Sequence, residues 1–229
     1  MTRLHAAHPS PLAAAILFDL DGTLVDSSGD LTAAINVVRA DLGLAPVPVE
    51  QVRTAISSGS RAILSLGLPE LEAQEREVRV EQFLRVYQAL IGEHDGLFPG
   101  IDAVLEALES AGSRWGVVTN KREDLARIVL DRLGLSQRCA VLIGGNTLAR
   151  NKPDPLPVVT ACERLGVSPQ AAVFVGDDAR DVAAGRAAGS TTVAVRWGFH
   201  PSDSDPAGWG ADWVIDRPDQ LLATFAAKP

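Results

Sequence analysis

The stretch Ala15-Ile-Leu-Phe-Asp19-Leu-Asp21-Gly22-Thr23-Leu-Val-Asp26-Ser27 decides the fold. Ile16, Leu17 and Phe18 form a short apolar run of the kind that fills a parallel strand buried on both faces. Gly22 permits a sharp turn soon after it. Asp19 and Asp21 therefore fall at the carboxyl end of a strand, where open α/β sheets place their chemistry. Two carboxylates one residue apart suit a division of labour, in which one attacks or binds metal and the other moves protons. A strand followed by a plain Asp-Gly turn would use the same letters, so the rest of the chain has to decide.

The 229 residues are 46% hydrophobic, enough for a sizeable core in one large domain or two small ones. The formal net charge is -8 and no basic run stands out, which argues against a nucleic-acid partner. An anionic substrate would then need local positive charge from a metal, a lysine or helix N-termini. Cys139 and Cys162 lack metal-ligand spacing and fit buried, reduced thiols, which suits the cytoplasm. No segment is long and apolar enough to span a bilayer, so no membrane partner is expected. Residues 1–11 carry no uninterrupted apolar segment of a secretory signal and are expected to form a disordered leader.

After Ser27 the period changes. Leu31, Ala34, Ile35 and Val38 recur at helical spacing, and further helical segments follow to about Glu93, with a polar break at Ser57-Ser58-Gly59-Ser60. The stretch Leu71 to Ile91 predicts one long helix, with Val78, Phe83, Val86, Tyr87 and Leu90 as its core positions. Nothing between Ser28 and Glu93 has the pattern of a strand. From Phe98 onward, strands alternate with one-faced helices, many of them closed by glycine. The strands are predicted at Trp115–Val118, Ala140–Ile143, Ala172–Val175, Thr192–Val195 and Trp213–Ile215. That order implies right-handed crossovers and a parallel sheet. The expected fold is α/β, a Rossmann-like parallel sheet with helices on both faces. Residues 12–27 and 97–229 form its core, and residues 28–96 form an inserted all-helical cap. The cap is expected to hinge near Asp26–Ser28 and Leu97–Gly100.

Three more strand ends carry polar groups: Thr119-Asn120-Lys121, Asn151-Lys152-Pro153-Asp154-Pro155, and Gly176-Asp177-Asp178-Ala179-Arg180-Asp181. Each has a plain structural alternative. Thr119-Asn120 suits a helix N-cap, Lys152 a solvated loop, and the aspartates a helix dipole. Together, on one sheet edge, they assemble a nucleophile, an acid/base, a hydroxyl, a lysine and a second carboxylate cluster. That set suits phosphoryl transfer with a divalent metal.

With these four motifs in this order, the chain resembles the haloacid dehalogenase superfamily of phosphatases. The resemblance covers nearly everything beyond residue 11. Within the superfamily the chain is most similar to the phosphoglycolate phosphatase branch. Gly176-Asp-Asp-Ala-Arg-Asp, Trp197-Gly and Trp209-Gly-Ala-Asp resemble a subgroup acting on N-acetylmuramic acid 6-phosphate.

The resemblance implies that Asp19 is the nucleophile and that Asp21 protonates the leaving oxygen, then activates water. It implies Thr119, the Asn120 backbone, Lys152 and Gly22 around the phosphoryl oxygens. For Mg²⁺ it implies the Asp19 and Asp177 carboxylates and the Asp21 carbonyl as ligands, with Asp181 behind them; the role of Asp178, where relatives often carry serine, stays open. Three carboxylates against one lysine, with a phosphate monoester of about −2, also call for a hard cation with oxygen ligands. The expected partner is a small phosphate ester, its selectivity set by Ser58, Gly59 and Arg61 in the cap. Two other functions share parts of this pattern. A sugar-phosphate mutase uses the same chemistry and returns the phosphoryl group. A phospho-accepting receiver domain also uses an aspartate, an acidic pair, a Ser/Thr and a lysine, but lacks the Asp21 spacing and the helical insertion. The sequence does not give the oligomeric state.

Overall fold

The computed structural model describes residues 13–200 and 204–226. The expected leader, residues 1–11, lies outside them. The chain forms a six-stranded parallel sheet. Its strands are β1 (Ala15–Phe18), β4 (Arg114–Val118), β5 (Leu142–Ile143), β6 (Ala172–Gly176), β7 (Thr191–Val195) and β8 (Trp213–Ile215), in the order β5-β4-β1-β6-β7-β8. β1 sits between β4 and β6, and all four of its residues are wholly buried, as its unbroken apolar run requires. The strand order reverses beside β1, with the chain stepping outward to β4 on one side and to β6 on the other. Ligands bind at such a switch point, outside the carboxyl ends of the strands.

The core helices are α6 (Ile101–Ser110), α7 (Glu123–Arg132), α8 (Leu156–Leu165), α9 (Ala179–Ala188) and α10 (Gln220–Ala226). α9 begins with reciprocal capping. Asp178 accepts from the Arg180 N–H at 2.8 Å, and Asp181 accepts from the Asp178 N–H at 3.1 Å. Cys162 is buried and Cys139 half-buried, and both are free thiols.

Between β1 and α6 the chain makes a two-residue antiparallel ribbon, β2 (Val25–Asp26) paired with β3 (Gly96–Leu97). Five helices lie between its strands: α1 (Ser28–Asp41), α2 (Val49–Arg53), α3 (Ser60–Gly67), α4 (Ala73–Glu77) and α5 (Val80–Leu90). A 3-10 turn at Ile56–Ser58 separates α2 from α3. The ribbon ties together the entry and exit of the insertion, where the hinge is expected. Beside it, Asp26 pairs with Arg53 at 3.1 Å and accepts from the Ser28 N–H at 3.2 Å.

Two expectations need correction. The long helix over Leu71–Ile91 is two helices, α4 and α5, and Val78 between them is 72% exposed instead of in the core. α5 is set by Phe83 and Tyr87, an i,i+4 pair buried at 0% and 1%. α4 buries no residue, so nothing holds it on the axis of α5. The strand over Ala140–Ile143 is also shorter, Leu142–Ile143, because it is an edge strand that pairs only with β4.

Candidate active site

All four polar strand ends meet at the carboxyl edge of the sheet. Asp19 follows β1, and its amide donates to the Val175 carbonyl at 2.9 Å, which extends the β1–β6 pairing by one residue. Its carboxylate accepts from the Leu20 N–H at 2.7 Å. The turn behind it depends on Gly22, whose φ is +88°, a left-handed conformation. A β-carbon at Gly22 would also lie 2.1 Å from Asp177 Oδ2, so the missing side chain is what lets the two acidic loops touch.

Lys152 is the charge at the centre. Its ammonium stands 2.9 Å from Asp19 Oδ1 and 2.6 Å from Asp181 Oδ1, with the side chain only 2% exposed. Burial works against its charged form, but Asp181 and Asp19 outweigh it and hold the lysine above its ordinary pKa. Asn120 fixes this lysine through its backbone. Its side-chain oxygen accepts from the Lys152 N–H and its amide donates to the Lys152 carbonyl, both at 3.1 Å. Thr119 is buried, and its hydroxyl accepts from the Lys121 N–H at 3.2 Å; the bond lies ahead of α7, whose N-cap is Arg122, so Thr119-Asn120 does not cap that helix.

Asp177 is wholly buried. It accepts from the Thr23 hydroxyl at 3.1 Å, the Phe199 N–H at 2.9 Å and the Ser57 hydroxyl at 3.2 Å. Burial, and then the nearby Asp19 charge, push its pKa up to about 7. Asp181 is raised as well, first by burial; Lys152 opposes this, and Asp19 and Asp177 add to it. Oxygen atoms of Asp19, Asp177 and Asp181 lie within 4.8 Å of one another, and all three residues are buried. Lys152 supplies a single positive charge against three carboxylates. This donor set fits a hard divalent cation, which would offset the like charge that adds to burial in raising Asp177 and Asp181.

Two of the aspartates after β6 also serve the start of α9. Asp178 caps α9, and Asp181 uses one oxygen on the cap and the other on Lys152. The local pattern therefore serves the helix and the site together.

Asp21 pairs with Lys121, whose ammonium lies 3.0 Å from both carboxylate oxygens. The lysine also stands 4.5 Å from the centre of the Tyr87 ring of α5, a cation–π contact from the helical insertion. Burial opposes the charged lysine, and Asp21 overrides it, so its pKa is raised. Spacing points to Lys121 only as the residue after Thr119-Asn120. Its pairing with Asp21 crosses 100 positions and has no local signal.

A cavity of about 390 Å³ opens on this edge. The core contributes Asp19, Asp21, Thr119, Asn120, Lys121 and Arg180. The insertion contributes an apolar wall, including Ile56, Ile63, Phe83, Leu84 and Tyr87, and the polar turn Ser57–Arg61. Gly59 in that turn has φ +87°, and a β-carbon there would meet open space, so it serves the backbone turn. Arg61 lines the cavity yet is 72% exposed and forms a two-pronged pair with Glu77, at 2.8 and 2.6 Å. Lys152, Asp177 and Gly22 do not line the cavity; Lys152 meets its lining residue Asp19, and Gly22 lies against Asp177.

Residues 16–195 match the model of the haloacid dehalogenase-like hydrolases, and the chain belongs to that family. It is 49% identical over 207 residues to a phosphoglycolate phosphatase of Xanthomonas campestris pv. campestris, covering 90% of this chain and 94% of that one. It is 43% identical over 215 residues to an N-acetylmuramic acid 6-phosphate phosphatase of Pseudomonas aeruginosa, covering 91% and 92%. The fold matches the crystal structure of a predicted phosphoglycolate phosphatase from Haemophilus somnus with a TM-score of 0.82 at 29% identity, covering 93% of this chain and 98% of that one.

Proposed function

We propose that the protein is a Mg²⁺-dependent phosphomonoesterase that hydrolyses a small phosphorylated metabolite through an aspartyl-phosphate on Asp19. The observation that carries this reading is the buried ion network Asp19–Lys152–Asp181, with Asp177 beside it, adjoining a cavity bordered by Asp21, Thr119 and Asn120. Relatives named as phosphatases at 43–49% identity support it.

In this reading an Asp19 oxygen attacks phosphorus in line, and the ester P–O bond breaks as Asp21 gives its proton to the departing oxygen. Water then attacks the aspartyl-phosphate, and Asp21 takes a proton from it. Asp19 is regenerated and inorganic phosphate leaves. Thr119, the Asn120 backbone, Lys152 and the Gly22 turn hold the phosphoryl oxygens. Lys121 fixes the Asp21 carboxylate at the cavity wall. Asp19, Asp177 and the Asp21 carbonyl would hold Mg²⁺, with Asp181 steadying them through Lys152. The bound cation neutralises charge on the transferring group. Helices α1 to α5 act as a cap that turns on the β2–β3 ribbon and excludes water. Among the described residues no helix is long and apolar enough to cross a membrane.

The cavity size bears on the substrate. At about 390 Å³ it lies within the ~300–1,000 Å³ of ordinary ligand pockets. Phosphoglycolate, a two-carbon acid, would leave most of it empty. A phosphorylated N-acetyl amino sugar with a carboxylate would use both the apolar wall and the polar turn. The geometry therefore favours N-acetylmuramic acid 6-phosphate over 2-phosphoglycolate. Arg61 is the cap cation that receives the carboxylate. Its pair with Glu77 is exposed and screened by water, so a substrate carboxylate displaces it easily.

Phosphate release with Mg²⁺ tests both levels. The amino-sugar phosphate should show the higher kcat/KM, and chelation should stop turnover of either substrate. Arg61→Ala should lower kcat/KM on it by roughly 10–100-fold, the loss of a charged hydrogen bond, with a much smaller loss on p-nitrophenyl phosphate. Equal losses on the two would remove Arg61 from carboxylate recognition. A preference for phosphoglycolate would overturn the size argument.

A further inference from the structure

Arg180 is three residues past Asp177, on the first turn of α9, yet its side chain leaves that helix. Its Nε donates to Asp178 Oδ1 and its Nη2 to Asp178 Oδ2, both at 2.8 Å. The same Nη2 donates to the Ser57 carbonyl at 2.6 Å, across 123 residues of sequence. Ser57 belongs to the 3-10 turn that forms the polar part of the cavity wall, and Arg180 lines that cavity. A second bond closes the same junction, from the Ser57 hydroxyl to Asp177 Oδ2 at 3.2 Å. Two separate contacts therefore fasten one turn of the insertion to the loop after β6.

We propose that Arg180, aimed by Asp178, is a positioning residue that latches the Ile56–Ser58 turn onto the catalytic loop and so sets the substrate-facing wall of the cavity. The chemistry suits the task. A guanidinium is planar and always charged, so the two-pronged contact with Asp178 fixes its direction and leaves an N–H for the carbonyl. A lysine at this position could reach one partner but could not be aligned by Asp178 in the same way. The role also accounts for Asp178 beyond capping: it uses the backbone N–H of Arg180 for the helix and the side chain of Arg180 for the latch. The latch is a property of the fold, and only its kinetic consequence rests on the phosphatase reading.

The test uses the full chain in four forms: wild type, Arg180→Ala, Arg180→Lys and Ser57→Ala. Hydrogen exchange of the backbone amides at 57–63 is the first readout, because it needs no turnover. Arg180→Ala should speed exchange there by about tenfold, the loss of one hydrogen bond from a charged donor, while the strands keep wild-type protection. Arg180→Lys should fall between the two. Ser57→Ala keeps the carbonyl and should exchange more slowly than Arg180→Ala.

Kinetics are the second readout. Arg180→Ala should raise KM for the amino-sugar phosphate more than it lowers kcat, with a smaller KM change for p-nitrophenyl phosphate. Wild-type exchange at 57–63 in Arg180→Ala would overturn the latch, whatever the enzyme hydrolyses. So would an equal loss of protection in the strands, which would make Arg180 a general stabilising residue. An altered exchange pattern in a protein that releases no phosphate would support the latch and refute the phosphatase reading alone.

Discussion

Asp19→Asn should abolish turnover and leave the fold intact. Asparagine keeps the shape of the side chain and can still accept from the Leu20 N–H, which the carboxylate now does at 2.7 Å. It loses the nucleophilic oxygen and the charge paired with Lys152 at 2.9 Å. Asp177 and Asp181 do not replace it, because their oxygens are engaged: Asp177 by Thr23, Phe199 and Ser57, Asp181 by Lys152 and the α9 cap. Removing a nucleophile from a site of this kind costs on the order of 10⁴-fold or more in kcat. The variant should melt within a few degrees of wild type, because one of three crowded carboxylates is gone while Lys152 keeps Asp181. Steady-state phosphate release and a thermal melt check the pair of outcomes. A tenth of wild-type turnover would remove Asp19 from its role.

Lys152→Met should have the second-largest effect, on stability and activity together. The lysine side chain is 2% exposed and is shared between two carboxylates. Methionine is of similar length and carries no charge, so the substitution leaves Asp19 and Asp181 buried without a cation. Breaking a buried ion pair from one side costs roughly 3–5 kcal/mol. For a chain of this size each kcal/mol moves Tm by ~2–4 °C, so a fall of about 6–20 °C is expected in the absence of metal. Mg²⁺ should recover part of that loss, because it offers the stranded carboxylates another positive charge. Turnover should remain low even where the protein is folded, because the phosphoryl oxygens lose a partner. A melt with and without Mg²⁺ measures the first effect. A wild-type Tm would show that the three side chains do not form a tight network.

The strand ends were legible in the sequence because their chemistry is local. A buried apolar run followed by Asp19-Leu-Asp21-Gly22 can be read within a dozen residues, and the same holds for Thr119-Asn120 after β4 and Gly176-Asp177 at the end of β6. The parallel order followed from helices alternating with strands. Pairings across the fold left no such trace. Lys121 with Asp21 and Arg180 with Ser57 join segments 100 and 123 positions apart, and no spacing rule links them. The β2–β3 ribbon has two residues per strand, too few for a period. The break between α4 and α5 depends on where Phe83 and Tyr87 find their partners, which helical periodicity does not carry. In the sequence, Arg61 stands out only by its place at the polar turn. The structure puts it on the cavity wall and also on Glu77, a partner 16 residues away that the turn itself does not suggest.

In the proposed mechanism Asp19 carries the phosphoryl group. Rapid-quench trapping tests it most directly: enzyme, Mg²⁺ and substrate are mixed for less than one turnover, quenched in acid, reduced with borohydride and digested. Borohydride converts an acyl phosphate into an alcohol, so the account predicts homoserine at position 19, absent without substrate and absent in Asp19→Asn. Homoserine or phosphate at any other residue, or substrate turned over with position 19 unmodified throughout the time course, would contradict it.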